Sequence, residues 1–374
     1  MKNARISNIS AHRDSWVEIN IDNVSSNVKA LKQCIPDDMK MLAVIKADAY
    51  GHGAAMLTPT LLSNNVDMLG VASIDEALNL RENGITAEIL VLGAVPVWAL
   101  STAIENNITV TSFTEEHIES CQKTYERTGV PIKTHIKLDT GMNRIGVQPK
   151  DAVEYIRKVQ SIEGIKLNGI FSHLANAECE EKTKKQIEIW ENIISQINTD
   201  NLLLHILNTA GTISSNVYKC TSNMVRCGIG LYGLYPDLIP SAQKVELKQA
   251  MSVKTRIIHI HEIEKGDGVS YGHTFVADKP ITVATVPLGY ADGIPRLLSN
   301  KFYGHINGQK VKQIGNVAMD QMMFDITGIN AKTGDVITLL DESLPITNWA
   351  NAMNTIHYEI MCHLKARLAR VYTR

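Results

Sequence analysis

The chain has 374 residues, 44% hydrophobic and 20% charged, which excludes a disordered chain and is long enough that two domains are expected rather than one. Thirty-seven basic side chains nearly cancel thirty-nine acidic ones, and the net charge of −2 argues against nucleic acid or an anionic membrane as partner and for a small molecule. Six cysteines without a CxxC pair argue against a disulfide framework or a zinc site and are expected to be reduced core thiols.

The opening MKNARISNISAHRDSW has no apolar signal-peptide core, and the oily run at 89–100 is too short to span and is broken by Pro96. The chain as given is therefore expected to be cytoplasmic, neither exported nor in contact with a membrane. The polar lead before Trp16 reads as a linker and leaves open a domain cut from a membrane-anchored protein. A strand-like run follows at 16–21, expected to pair with the second domain.

Eight β-rich runs then alternate with amphipathic stretches: MLAVIK (41–46), MLGVA (68–72), EILVLG (88–93), ITVTSF (108–113), IKTHIKLD (132–139), LNGIFSHL (167–174), LLLHILN (202–208) and MVRCGIGLYG (224–233). Helical patterns lie between them, for example at 75–83 with an acidic start and at 182–197. Eight βα units in about 200 residues give the size of a (β/α)8 barrel, an α/β fold of the TIM type. After Pro236 and Pro240 the texture becomes alternating strands and turns, including KTRIIHIHEI, VSYGHTFV, TVATVPLGY, HINGQKVKQIG and VITLL. The expected domains are a barrel over 1–240 and a smaller, mostly β domain over 241–374, joined near 236–248.

In a barrel, chemistry collects where strands end. Lys46 closes the first run, Lys137 lies in the fifth with Arg144 after it, His173 closes the sixth, Asn208 and Thr209 follow the seventh, and Arg226 with Gly228 lies in the eighth. A lysine behind Ala43, Val44 and Ile45 is expected to be desolvated toward a nucleophilic amine, suited to an imine with an aldehyde, although a lysine snorkelling from a strand end reads the same way. Small residues at 208–211 with Gly228 and Gly230 let backbone amides approach a phosphate, or are simply turns. His259 and His261 share one face of a strand, but no third ligand stands at useful spacing, so no metal site is expected.

Taken together, AVIKADAYGHG (43–53), IKLDTGMNRIG (136–146), FSHLANA (171–177), MVRCGIGLYG (224–233), SYGHTF (270–275), PLGYADG (287–293) and NVAMDQ (316–321) resemble the alanine racemase family, serine racemases included, in order along nearly the whole chain. The resemblance implies a pyridoxal 5'-phosphate (PLP) barrel with a β domain, acting on a small amino acid as a homodimer with shared active sites and supplying D-amino acids for peptidoglycan precursors. It implies that Lys46 holds the cofactor and serves the D face of the α-carbon, and that Tyr271, from the partner, serves the L face. Inversion needs such a pair on opposite sides. Without the resemblance, Tyr271 reads as a half-buried strand aromatic.

By the same resemblance His173 and Arg226 support that tyrosine, Arg226 faces the pyridine nitrogen, and Tyr50, Thr209, Tyr358 and the amides of Gly228 and Ile229 hold the cofactor phosphate, with Asn208 also counted among the cofactor-binding residues. Arg144 contacts cofactor and substrate, Met319 of the partner binds the substrate carboxylate, and Lys137 matches a position that is carbamylated in many members. Three departures bear on substrate choice: Asn316 replaces a frequent arginine at the entrance, Ala318 a cysteine or hydroxyl residue, and Glu178 an aspartate. ARLAR (366–370) replaces the familiar RVPR. Serine is therefore kept beside alanine as substrate, and the serine racemase domain of a vancomycin-resistance membrane protein fits these features. A fold-related PLP decarboxylase is the alternative enzyme, opposed by the SYGHTF and AMDQ pairing, and a PLP-binding carrier is opposed by the second domain.

Overall fold

The computed structural model describes residues 12–374, and the polar lead at 1–11 lies outside them. Two compact units divide the chain: a barrel unit, Asn23–Ala49 and Ala54–Lys248, and a β unit built from the chain up to Asp22, Tyr50–Gly53 and Gln249–Arg374.

The chain opens with β1 (Ser15–Asn20), and the barrel strands follow as β2 (Lys40–Val44), β3 (Met68–Val71), β4 (Ile89–Val91), β5 (Val110–Ser112), β6 (Ile132–Lys137), β7 (Ile165–Phe171), β8 (Leu203–His205) and β9 (Met224–Cys227). All pair in parallel, in the orders β4-β3-β2-β9 and β5-β6-β7-β8. The two sheets close on each other through Val91 N–H to Thr109 O and Thr109 N–H to Ile89 O on one side, and Asn223 N–H to Leu204 O and Arg226 N–H to Leu207 O on the other. Both faces of such strands are covered, which is why β2, β3 and β4 read as apolar runs, while β6, β7 and β9 interleave polar side chains. Each observed strand is shorter than its run because the last residues of the run already turn into the mouth.

Helix boundaries follow from capping: Ser73 and Thr114 accept from the amides of Glu76 and His117, and Gly129 ends Glu115–Thr128 in the left-handed region.

The β unit continues with β10 (Met251–Arg256), β11 (His259–Ile263), β12 (Gly268–Val269), β13 (Phe275–Val276), β14 (Ile281–Val286), β15 (Tyr303–Ile306), β16 (Gln309–Ile314), β17 (Met322–Asp325), β18 (Val336–Leu340) and β19 (Ala369–Thr373). Eight of these strands and β1 make up the nine-stranded sheet order β11-β14-β17-β16-β15-β18-β10-β1-β19, with β12 and β13 paired apart. β1 lies antiparallel to β10 and parallel to β19, as its strand-like reading anticipated. Asn307 and Gly308, both at positive φ, turn the β15–β16 hairpin.

Three expectations change. KTRIIHIHEI is two strands, β10 and β11, not one. VSYGHTFV is no continuous strand: a 3-10 turn over Tyr271–His273 interrupts it, with Ser270, Gly272 and His273 at positive φ. The second domain is mostly β, as expected, and also holds the helices Ile346–Met353 and His357–His363 before β19. Among the cysteines, Cys362 is exposed and so is not a core thiol.

Candidate active site

Lys46 sits two residues past β2, half-buried, at the start of a turn in which Ala47, Asp48, Ala49 and Tyr50 all take φ between 51° and 54°. L-residues enter that left-handed region at a cost of about 1–2 kcal/mol each, so the turn needs anchors. Glu76 provides one: its carboxylate accepts from Ala47 N–H (2.8 Å) and Ala72 N–H (2.7 Å). Asp48 accepts from Ala54 N–H at 2.7 Å, and the buried Tyr232 hydroxyl donates to Val44 O at 2.9 Å. Sequence reasoning missed Glu76. Its signal was the Ser-x-x-Glu spacing from Ser73, which normally returns the glutamate to the helix start rather than across to another strand end.

Arg226, on β9, is 3% exposed and donates to the carbonyls of His205 (2.7 Å), Ser172 (2.6 Å) and Ile206 (3.3 Å). It also meets Nδ1 of His205 and Nδ1 of His173, each at 3.0 Å. A guanidinium only donates, so both Nδ1 atoms accept and both protons sit on Nε2. His205 Nε2 then donates to His135 Nδ1 at 2.9 Å, extending a one-way chain from Arg226 into the barrel core. Burial, and then the charge of Arg226, hold His173 and His205 well below the ordinary histidine range, and push His135 down to about 3. Burial lowers Arg226 to about 9, which leaves it charged at neutral pH.

The buried lysine is Lys137 rather than Lys46. At the end of β6, Lys137 is 3% exposed, donates to Leu138 O at 2.8 Å and lies 5.3 Å from the centre of the Phe171 ring. Burial and the Arg226 charge lower its amine to about 7, against the pull of Asp139. Arg144 lies exposed in the loop beyond, whose course is set by Asp139: its Oδ1 accepts from the amides of Gly141 (3.0 Å), Met142 (2.9 Å) and Asn143 (3.0 Å). Burial alone would raise the Asp139 carboxyl, but these bonds, with Lys137, outweigh it and hold the carboxyl below its usual value.

Asn208 spends its side chain on capping Thr209–Ile213, its Oδ1 accepting from Gly211 N–H at 3.0 Å. Thr209 Oγ1 accepts from Gly228 N–H at 3.0 Å, and Ile229 opens a 3-10 turn whose first amides have no acceptor within the turn. No carboxylate stands in this group of four.

In the β unit, the Tyr50 and Tyr358 rings lie 6.2 Å apart, and Tyr50 is buried, which raises its phenol. Tyr271 is 75% exposed and Met319 54% exposed, so neither is the half-buried strand residue that a lone reading of Tyr271 suggests. Asn316, read from sequence as an entrance residue, is 8% exposed and donates from Nδ2 to Tyr271 O at 2.6 Å. His259 and His261 stack at 4.9 Å on one face of β11, and among the described residues no group of three or more acidic, histidine or cysteine ligands could hold a metal.

The family models described as alanine racemase, N-terminal domain, and alanine racemase, C-terminal domain, match residues 19–236 and 250–372. The chain belongs to the alanine racemase family. Alanine racemase 2 of Oceanobacillus iheyensis is 39% identical over 373 residues, covering 97% of this chain and 94% of that protein. The alanine racemase structure from Clostridium difficile 630 superposes with a TM-score of 0.91 at 37% identity, covering 96% of each chain. The Bartonella henselae alanine racemase, described with covalently bound pyridoxal phosphate, gives 0.85 at 29% identity over 96% of this chain and 99% of that one. This racemase is accordingly a PLP-dependent amino-acid racemase. Its own residues fit that cofactor: a half-buried strand-end amine at Lys46, neutral donors free of carboxylates at 208–209 and 228–229, and a buried guanidinium with two imidazoles fixed as its acceptors.

Proposed function

We propose that this racemase interconverts L- and D-alanine, and accepts serine, with Lys46 and Tyr271 exchanging protons on opposite faces of the α-carbon. The observation that carries the reading is the disposition of those two groups: an amine fixed at a strand end of the barrel unit, and a phenol presented outward, 75% exposed, from the β unit. An aromatic so exposed is suited to a second copy of the chain, and Met319, exposed in the same unit, would meet the substrate carboxylate beside it. The functional unit is then a homodimer with shared sites.

Bound PLP supplies the electron sink that acidifies the α-proton. Lys46 would hold it covalently, Tyr50, Thr209, Gly228, Ile229 and Tyr358 its phosphate, with Asn208 capping the helix at Thr209, and Arg226 its ring nitrogen. A guanidinium offers that nitrogen a donor it does not surrender, which moderates the sink and favours return of the proton to the same carbon. His173, with Nδ1 occupied by Arg226, carries its proton on Nε2 and can donate there to the incoming phenol oxygen. Arg144 would steady the substrate, and Lys137, with its amine near 7, is suited to adding carbon dioxide as a carbamate beside two arginines. A serine hydroxyl adds little that a pocket built for a methyl group rejects strongly.

A coupled assay of D-alanine and D-serine formation from the L forms tests the activity; absence of both sinks the reading. Borohydride should fix the cofactor to the wild type and not to Lys46→Ala, and equal trapping in that variant would move the amine elsewhere.

A further inference from the structure

We propose that Asn316 is a positioning residue that clamps the backbone under Tyr271 and thereby aims its phenol. The inference rests on Tyr271 being the L-face acid/base group.

Ser270, the residue before Tyr271, has φ 62° and ψ −174°. That combination belongs almost wholly to glycine, so a serine stays there only when its neighbours over-determine it. Two reciprocal bonds do so: Ser270 Oγ donates to Asn316 O at 2.7 Å, and Asn316 Nδ2 donates to Tyr271 O at 2.6 Å. The turn they hold has little packing of its own, since Tyr271, Gly272, His273 and Thr274 are all exposed whereas Asn316 is buried.

Asn316 is in turn seated by Gly315, at φ 73°, where an added Cβ would stand 2.6 Å from Val269 O. The Gly315 amide donates to Asn300 Oδ1 at 2.7 Å, and Asn300 Nδ2 reaches Thr274 Oγ1 at 3.1 Å at the far end of the same turn. The reacting phenol thus hangs on a short exposed loop tied at both ends to one buried stretch of chain. A displacement of about 1 Å in a reacting group can cost on the order of a hundredfold in rate.

The test uses the holoenzyme and three variants. Enantiomers have equal free energy, so Asn316→Ala must lower kcat/KM equally in both directions, by about 10- to 100-fold. The distinguishing readout is the α-deuterium isotope effect, which should rise with L-alanine, whose proton Tyr271 removes, and not with D-alanine, whose proton Lys46 removes. Asn316→Asp keeps the shape without the Nδ2 donor and should behave alike, which covers the case that the alanine variant does not fold. Loss of activity with unchanged isotope effects, or activity within twofold of wild type while Tyr271→Phe is inactive, overturns the clamp. Full activity of Tyr271→Phe instead removes the reading of Tyr271 beneath it.

Discussion

Asp139→Ala should loosen the loop that carries Arg144, by an amount the hydrogen bonds set. One carboxylate oxygen accepts three amides at 2.9 to 3.0 Å from a residue 3% exposed. A hydrogen bond to a charged group contributes about 1.5–3 kcal/mol net. Three sharing one oxygen do not add, and the Gly141 and Asn143 positions are exposed, so water reaches the freed amides. The expected loss is therefore near that of one good charged bond, about 2–3 kcal/mol. Asp139→Asn keeps an acceptor and loses the charge, and should cost about 1 kcal/mol.

Urea midpoints at constant slope measure both losses, and amide exchange at Met142 and Asn143 locates them. The sign with pH follows from a carboxyl held below its usual value in the fold. Its stabilisation is fully present above the unfolded carboxyl range and is lost as pH falls through the lower, folded value. The wild-type advantage over Asp139→Asn should thus stay level near neutrality and shrink below about pH 4. Asp139→Ala unfolding within 0.5 kcal/mol of wild type, with exchange at 141–143 unchanged, refutes the reasoning.

Two further outcomes are expected. The Lys137 amine, lowered to about 7, becomes neutral as pH rises through that value, so 13C-bicarbonate should give a stronger carbamate NMR signal at alkaline than at acid pH and none in Lys137→Met; an equal signal in that variant removes the assignment. Glu76→Ala releases the Ala47 and Ala72 amides and should weaken retention of PLP about tenfold, read from loss of cofactor absorbance on dialysis. Unchanged retention would show that Asp48 and Tyr232 suffice to hold the left-handed turn.

Part of the site was legible residue by residue. Lys46, Lys137, Arg226 and Asn208 were singled out because barrel strand ends carry chemistry, and their positions after apolar runs are local facts. Their partners were not legible. Nothing in the sequence near Lys46 announces Glu76, and the pairing of Arg226 with Ser172, His173 and His205 spans more than fifty residues at its widest. Tyr271 was misplaced by pattern alone, because SYGHTF alternates like a strand while Ser270 and His273 adopt backbone conformations that their residue types do not advertise.

The sequence by itself determined the eight buried parallel strands, since strands covered on both faces are rich in apolar residues, and the family, since seven motifs recur in order. Only the tertiary structure decided which imidazole nitrogens accept, which lysine is desolvated, and what holds Tyr271 in its turn. The reason is physical: hydrophobic period reports the burial of each segment separately, whereas a hydrogen bond's partner and a buried group's charge state depend on the register in which distant segments meet.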